Sequence, residues 1–274
     1  MFDICTVVFR DELPLLKIQA QSLDAWGWRL NPRTIWVIVN DDPDLVDHIR
    51  TSWWGGLAPH VRVLPREVFG ADWSDNGWVG QQALKLLVPA IGDAEWTMCL
   101  DAKTLLVDAV SASTLLDDRG RARVGRCPIY PVFEPSRQFS EEFWNCKLDQ
   151  QLGPGGVPFL FHNHSTQRMV SATVSRTRKN FATWFQEQPR LTEFIFYSAW
   201  IQSQGLDLYA PDSNIRPVNL CHSEVDMFDS KQQQWDQATT VSIHRNAWTR
   251  LTDTQRQQYR DFLTQLGITQ AWQL

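Results

Sequence analysis

Three apolar runs early in the chain constrain the fold class more than any single residue does. Ile4 to Phe9 is β-branched and aromatic, Thr34 to Val39 is almost continuously apolar, and Trp96 to Leu100 is apolar again. A strand without polar alternation belongs in a sheet covered on both faces. Between the first two runs, Leu13 to Trp26 reads as an amphipathic helix with Leu16, Ala20 and Leu23 on one face. Asp11 and Glu12 precede it, where acids suit a helix N-terminus. Val61 to Leu64 supplies a further short strand, and a second helix is expected between Val39 and Val61. Strand, helix, strand, helix, strand predicts a parallel sheet with crossover connections. Ligands of such sheets bind beyond the carboxyl ends of the strands, and Arg10, Asn40 and Asp41 sit at such ends.

The pattern continues with a helix over Trp78 to Val88, where Leu84, Leu87 and Val88 recur at helical spacing and Ile91 extends the series. Pro89 is expected to end or kink it. Gln81 and Lys85 are four apart and share one helical face. The run Trp96 to Leu100 then delivers Asp101, Ala102 and Lys103 at its carboxyl end, and Leu105 to Val107 resumes as a short strand. The stretch Asp118 to Gly156 is less regular and rich in Arg, Pro and Gly. After it come a strand over Val157 to Phe161, a helix over Phe181 to Gln188 before Pro189, and a helix over Thr192 to Gln204. Thr192 is placed to cap that helix and Gly205 to stop it. Val241 to Ile243 reads as a last strand ending at His244, and Thr252 to Leu266 as a polar amphipathic helix. No composition break marks a linker, so one α/β domain over residues 1–274 is expected.

Charge and composition remove several classes of function. The formal net charge is −5 and the pI about 5.7, against the basic excess a nucleic-acid surface needs. The opening residues lack a basic lead and a small-residue cleavage site, so no signal peptide is expected. No apolar stretch approaches the ~20 residues of a spanning helix. Five cysteines without a C-x-x-C pair suit free thiols in a reducing compartment, hence a cytoplasmic protein. The histidines lack zinc-ligand spacing to any cysteine; His162 and His164 are the one close pair. There is no P-loop, no G-x-G-x-x-G and no G-x-S-x-G elbow, so the usual ATPase, dinucleotide and serine-hydrolase signals are missing. Of the 14 tryptophans, most are expected in the core and two or three at a ligand.

An ordered set of motifs carries a resemblance. These are Thr6-Val7-Val8-Phe9-Arg10 with Glu12-Leu13, then Ile38-Val39-Asn40-Asp41, then the segment from Gly77 to Leu86 containing Gln81, Gln82 and Lys85. Cys99-Leu100-Asp101-Ala102-Lys103-Thr104, Thr192-Glu193-Phe194-Ile195-Phe196-Tyr197 and Ser242-Ile243-His244-Arg245 follow. In order and spacing they resemble GT-A-fold bacterial glycosyltransferases, many of them associated with surface polysaccharide synthesis. The resemblance implies a Rossmann-like, mixed and largely parallel sheet flanked by helices. It implies a nucleotide-sugar-binding half over about 1–110 and an acceptor half over about 111–274. The implied substrates are a UDP- or GDP-type sugar donor and a glycan or small acceptor.

It further implies a donor site at Phe9, Arg10, Asn40, Asp41, Gln81, Gln82, Lys85, Asp101, Lys103, His244 and Arg245. Glu193 is expected as the catalytic or acceptor-orienting carboxylate beside Asp101, and His162 and Asn163 as acceptor-side residues. A glutamate in the first turn of a helix also stabilises it through the dipole, and that is the plainer reading of Glu193. Asp101 stands where a D-x-D motif begins, a motif whose acids hold Mn²⁺ or Mg²⁺ on the diphosphate. Here the second acid is Lys103. A protonated lysine cannot ligate a cation and repels it. Asp101 alone remains as a metal ligand, and Lys103 is expected to take over part of the metal's electrostatic role. The plainer alternative is that Lys103 points to solvent or pairs with Asp101. Two other readings stay open: a sugar nucleotidyltransferase, and a non-catalytic carbohydrate- or nucleotide-binding module.

Overall fold

The computed structural model describes residues 1–153, 157–188 and 190–268. The strands, in chain order, are β1 (Phe2–Val8), β2 (Ile35–Val39), β3 (Val61–Pro65), β4 (Trp96–Asp101) and β5 (Thr104–Leu106), then β6 (Arg126–Pro128), β7 (Gln150–Leu152), β8 (Phe159–His162), β9 (Pro217–Leu220) and β10 (Thr240–Ile243). The first five helices are α1 (Leu13–Ser22), α2 (Gly77–Ile91), α3 (Ala112–Leu115), α4 (Glu134–Trp144) and α5 (Asn163–Thr177). They are followed by α6 (Phe181–Gln186), α7 (Glu193–Ser203), α8 (Phe228–Gln232), α9 (Arg245–Trp248) and α10 (Asp253–Gln265). Part of the expected glycine-rich patch, residues 154–156, and the expected stop at Pro189 fall outside the described residues.

The central sheet runs β3-β2-β1-β4-β8, with the first four strands parallel and β8 antiparallel. Every residue of β1 is buried, and only Trp36 of β2 and Asp101 of β4 are not, as apolar runs without alternation require. Apart from the helix expected between β2 and β3, the sequence-expected strands and helices are present with small shifts of boundary. The connection from β2 to β3 is not an α-helix but two 3-10 segments, Pro43–His48 and Thr51–His60. Pro43, Pro59 and the Gly55-Gly56 pair deny that stretch a continuous hydrogen-bond ladder.

Gly55 holds φ 48° and ψ −119°, a conformation open to glycine. A Cβ there would lie 2.0 Å from Asp24 Oδ2, on the carboxylate that accepts the Gly56 N–H. Gly55→Ala is therefore expected to destabilise the fold by about 2 kcal/mol, read as a Tm lower by several degrees in a thermal melt.

Helix α2 also departs from expectation, since it continues past Pro89 to Ile91. Proline so near the end of a helix removes a single ladder bond, to the Lys85 carbonyl, and Pro89 itself is buried. Helix α7 begins after Thr192 as expected, but Thr192 makes no side-chain cap; its N–H donates to Ser136 Oγ at 3.0 Å instead.

At Asp101 the chain leaves the central sheet. After Ala102 and Lys103 it enters β5, in a second sheet ordered β5-β10-β9. The main core gathers around the central sheet and the aromatic residues of α4, α6 and α7. A second cluster gathers β5, β9, β10 and the last helices around Phe228, Trp235 and Tyr259. Residues 101–103 thus form the junction between the two sheets. No helix among the described residues is long and apolar enough to cross a membrane.

Candidate active site

The junction is held from behind by one buried side chain. Gln19 of α1 donates to the Asp101 carbonyl at 2.6 Å and to the Thr104 carbonyl at 3.0 Å, and its Oε1 accepts from Thr6 Oγ1 at 2.8 Å. All three contacts are buried or partly so, where a satisfied amide fixes the backbone. The Asp101 and Lys103 side chains are thereby presented at the carboxyl end of β4.

Facing them is one stripe of α2. Trp78, Gln81, Gln82 and Lys85 recur at helical spacing and line the same cleft. Asn76 caps this helix, its side chain accepting from the Val79 N–H. The third wall is the start of α7, with Thr192, Glu193 and Phe194. Glu12, Phe133, Gln151 and His244 complete a cleft of about 310 Å³.

Four charged groups meet in it. Lys85 Nζ lies 2.7 Å from Asp101 Oδ1 and 3.2 Å from Glu193 Oε1, and Lys103 Nζ lies 3.0 Å from Asp101 Oδ2. Lys85 and Glu193 are 3% and 1% exposed as residues. An ion pair this deep stands only if the attraction exceeds the desolvation of both partners. Burial raises a carboxyl and lowers an ammonium. For Asp101 that push is overcome by Lys85 and Lys103, which hold it well below the usual carboxylate range. For Lys85, burial pulls down but Asp101 and Glu193 prevail and raise it well above an ordinary lysine. For Glu193, burial prevails over Lys85 and its carboxyl is raised. Burial likewise raises Glu12 against the pull of Lys103. The two carboxylates flanking Lys85 are thus pushed in opposite directions.

The expected donor-site residues divide into two groups. Gln81, Gln82, Lys85, Asp101, Lys103 and His244 line the cleft, as does Glu193. Lys103 also forms the Asp101 ion pair of the plainer reading, while its side chain stays 23% exposed. His244 additionally caps α9, accepting the Asn246 N–H at 3.2 Å through Nδ1. Phe9, Arg10, Asn40, Asp41 and Arg245 lie outside this lining. Asn40 is fully buried and donates to the Gly77 carbonyl at 2.8 Å, bolting the end of β2 to the start of α2. Phe9 packs beside Gly77. Asp41 accepts the Arg10 N–H at 2.8 Å, and the Arg10 guanidinium pairs with Asp42. Arg245 pairs with Asp11 in an adjoining apolar pocket.

His162 and Asn163 are not brought to the cleft. Strand β8 is antiparallel, so His162 sits opposite Trp96, at the far end of β4 from Asp101. There His162 Nδ1 caps α5 by accepting from Ser165 N, its ring packs 5.0 Å from the Trp96 ring, and burial lowers its pKa. Asn163 accepts from Thr97 Oγ1 at 2.7 Å. Both do structural work at that end. Sequence reasoning did not place Glu12, Trp78, Phe133, Gln151, Thr192 or Phe194 in the site, although they line the cleft. Trp78 was within reach, three residues before Gln81 on the same helical face.

Each Asp101 oxygen already faces an ammonium group, and no group of three His, Cys, Asp or Glu among the described residues is arranged to hold a metal. Oxygen-rich, cation-free surroundings are what Mg²⁺ or Mn²⁺ requires.

No family model and no curated protein sequence matches this chain. Among solved structures, the galactosyltransferase LgtC in complex with donor and acceptor sugar analogs superposes with a TM-score of 0.50 at 12% identity, covering 96% of this chain and 95% of that one. Mouse xyloside xylosyltransferase 1 gives a TM-score of 0.45 at 11% identity over 90% of this chain and 98% of that one. GlyE, a glycosyltransferase of Streptococcus pneumoniae, gives 0.45 at 10% identity over 98% and 64%. The LgtC likeness, near full length on both sides, together with the mostly parallel helix-flanked sheet, shows that the chain has the GT-A fold class the sequence implied.

Proposed function

We propose that this protein is a glycosyltransferase that moves a sugar from a UDP- or GDP-type donor to a glycan or small acceptor, without a divalent metal. The observation that carries the reading is the Lys85, Asp101, Lys103 and Glu193 constellation at the carboxyl end of β4, in a fold shared with a galactosyltransferase. In the reaction the bond from the sugar's anomeric carbon to the diphosphate breaks. A bond to the acceptor oxygen forms, the acceptor hydroxyl gives up its proton, and the nucleoside diphosphate leaves.

Each residue has a place in that chemistry. Lys103 has three N–H donors and spends one on Asp101, leaving two for a phosphate oxygen. Placed at the open side of the cleft, it stabilises charge that develops on the leaving group. Lys85 holds Asp101 and Glu193 in register and keeps Asp101 ionised. Glu193 is the carboxylate toward the acceptor, where burial raises its pKa above that of an ordinary glutamate and makes it a stronger base for the acceptor proton. The same reading puts the enzyme in the cytoplasm, on surface-polysaccharide assembly.

A thermal-shift panel of UDP-, GDP- and CMP-sugars, run with Mn²⁺ and with excess EDTA, tests it. One nucleotide class is expected to raise Tm equally in both conditions, with slow donor hydrolysis in each. A ligand at 100 times its Kd stabilises by about 2.7 kcal/mol, well within detection. Silence across the whole panel would remove the glycosyltransferase reading; a strict need for Mn²⁺ would remove its metal-free part.

A further inference from the structure

The cleft does not end at Trp78 and Phe133. Both residues also line a second, open groove of about 460 Å³, together with Pro131, Val132, Pro135 and Arg190. Its floor is apolar and unusually exposed. Trp78 is 46% exposed and Val132 69%, and Tyr130, just before the groove's first proline, is 54% exposed. Large apolar side chains gathered on a surface beside a polar cleft mark a binding groove rather than a packing remnant. The chemistry of this floor suits a particular partner face. Rigid aromatic and proline rings offer flat apolar contact with little conformational entropy to lose, while the polar groups of a ligand stay toward water. Pyranose rings, with one C–H face and a rim of hydroxyls, match that description.

The far wall of the groove adds charge. Arg190 is exposed, and it has no hydrogen bond or ion pair among the described residues. Other arginines near the cleft are engaged: Arg10 with Asp42, Arg137 with Glu134 and Glu141, Arg245 with Asp11. A guanidinium presents a planar fork of donors that matches a carboxylate in two parallel hydrogen bonds.

We propose that this groove is an acceptor subsite for an acidic glycan, with a sugar ring lying on Trp78 and Phe133 and a carboxylate-bearing sugar reaching Arg190. The assignment rests on the glycosyltransferase reading, since it makes the neighbouring cleft the donor side. It moves the acceptor from His162 and Asn163, at the wrong end of β4, to the open side of α2 and the segment before α4. The carboxylate contact is exposed, so the preference for acid is expected to weaken as salt rises.

The test uses the full chain and two matched probe pairs: trigalacturonate against its methyl ester, and 3′-sialyllactose against lactose. Binding is read by tryptophan fluorescence and calorimetry at low salt. At least one acidic probe is expected to bind about tenfold more tightly than its neutral partner. Arg190→Gln should bring the two members of that pair to the same affinity, and Trp78→Ala should weaken both. Equal binding of acid and neutral forms to the unaltered protein overturns the proposal. So does failure of both acidic probes, or an acid preference that survives Arg190→Gln. A nucleotide thermal shift on the same samples keeps the two readings apart. Nucleotide binding without acid preference sinks this subsite alone. Acid-selective sugar binding with no nucleotide binding leaves the groove standing and sinks the transferase.

Discussion

Lys85→Met lowers the stability of the protein by about 3–5 kcal/mol, the range found when one partner of a buried ion pair is removed. In a chain of this size that corresponds to a Tm lower by roughly 10 °C. The cause is solvation. Lys85 is the buried cation for two carboxyls, at 2.7 Å from Asp101 and 3.2 Å from Glu193. Methionine fills similar space but leaves both facing a dry wall, with Lys103 compensating only Asp101. The effect has a signed pH dependence. In the unaltered protein the Asp101 carboxyl is held below its ordinary value of 3.8. Its contribution to stability is present above that value and is lost as pH falls further. Glu193 is raised above its ordinary 4.5, so its contribution is greatest at low pH and is lost as pH rises through its folded value. Without Lys85, Glu193 loses its counter-charge while Asp101 keeps Lys103, so the variant's deficit is expected to shrink as pH is lowered from 8 to 5 and Glu193 takes up its proton. Urea melts of both proteins at the two pH values measure this. Adding Glu193→Gln, which removes one unmatched charge, should recover part of the loss at pH 8, as residues in direct contact couple non-additively. A variant as stable as its parent at pH 8 would show that the triad is not a linked electrostatic unit.

Lys103→Ala presents the opposite balance: turnover falls by about a hundredfold or more while the fold is nearly untouched. Its ion pair with Asp101 is partly exposed, at 23% for the lysine side chain, and such pairs contribute about 0–1 kcal/mol. The Tm therefore drops by no more than a few degrees. The loss in turnover follows from the role proposed for the ammonium on the departing diphosphate, where removal of one preorganised charge or donor takes about 10²–10³ from kcat. Lys103→Arg, which keeps the charge, should retain most activity. Single-turnover rates at saturating donor, with circular dichroism melts alongside, separate the two effects. Full turnover by Lys103→Ala would exclude the lysine from leaving-group stabilisation.

Together the two lysines show which parts of the site were legible. The family resemblance singled both out, and local rules fixed where each stands. Lys85 shares a helical face with Gln81, and Lys103 follows an apolar strand at its carboxyl end, so the period of each element places them. The cleft-facing Trp78 obeys the same helical rule. Phe133 and Gln151, by contrast, come from the irregular stretch between β5 and β8, where no periodicity assigns a face. Asn40 shows how local rules mislead. It stands at a strand end where ligands bind, yet the start of α2 closes over it and turns it into a bolt to Gly77.

What the sequence determined by itself is what depends on near neighbours. Unbroken apolar runs can be buried only in a sheet covered on both faces, helical spacing selects one side of α2, and prolines with paired glycines halt the ladder between β2 and β3. Tertiary structure alone decided what depends on distant ones. It set Glu193 against Lys85, used Gln19 to brace the turn at Asp101, and ran β8 antiparallel, which carried His162 and Asn163 away from the cleft. Burial and its electrostatic consequences arise only when segments far apart in the chain exclude water together. No local pattern encodes which groups will then share a dry space.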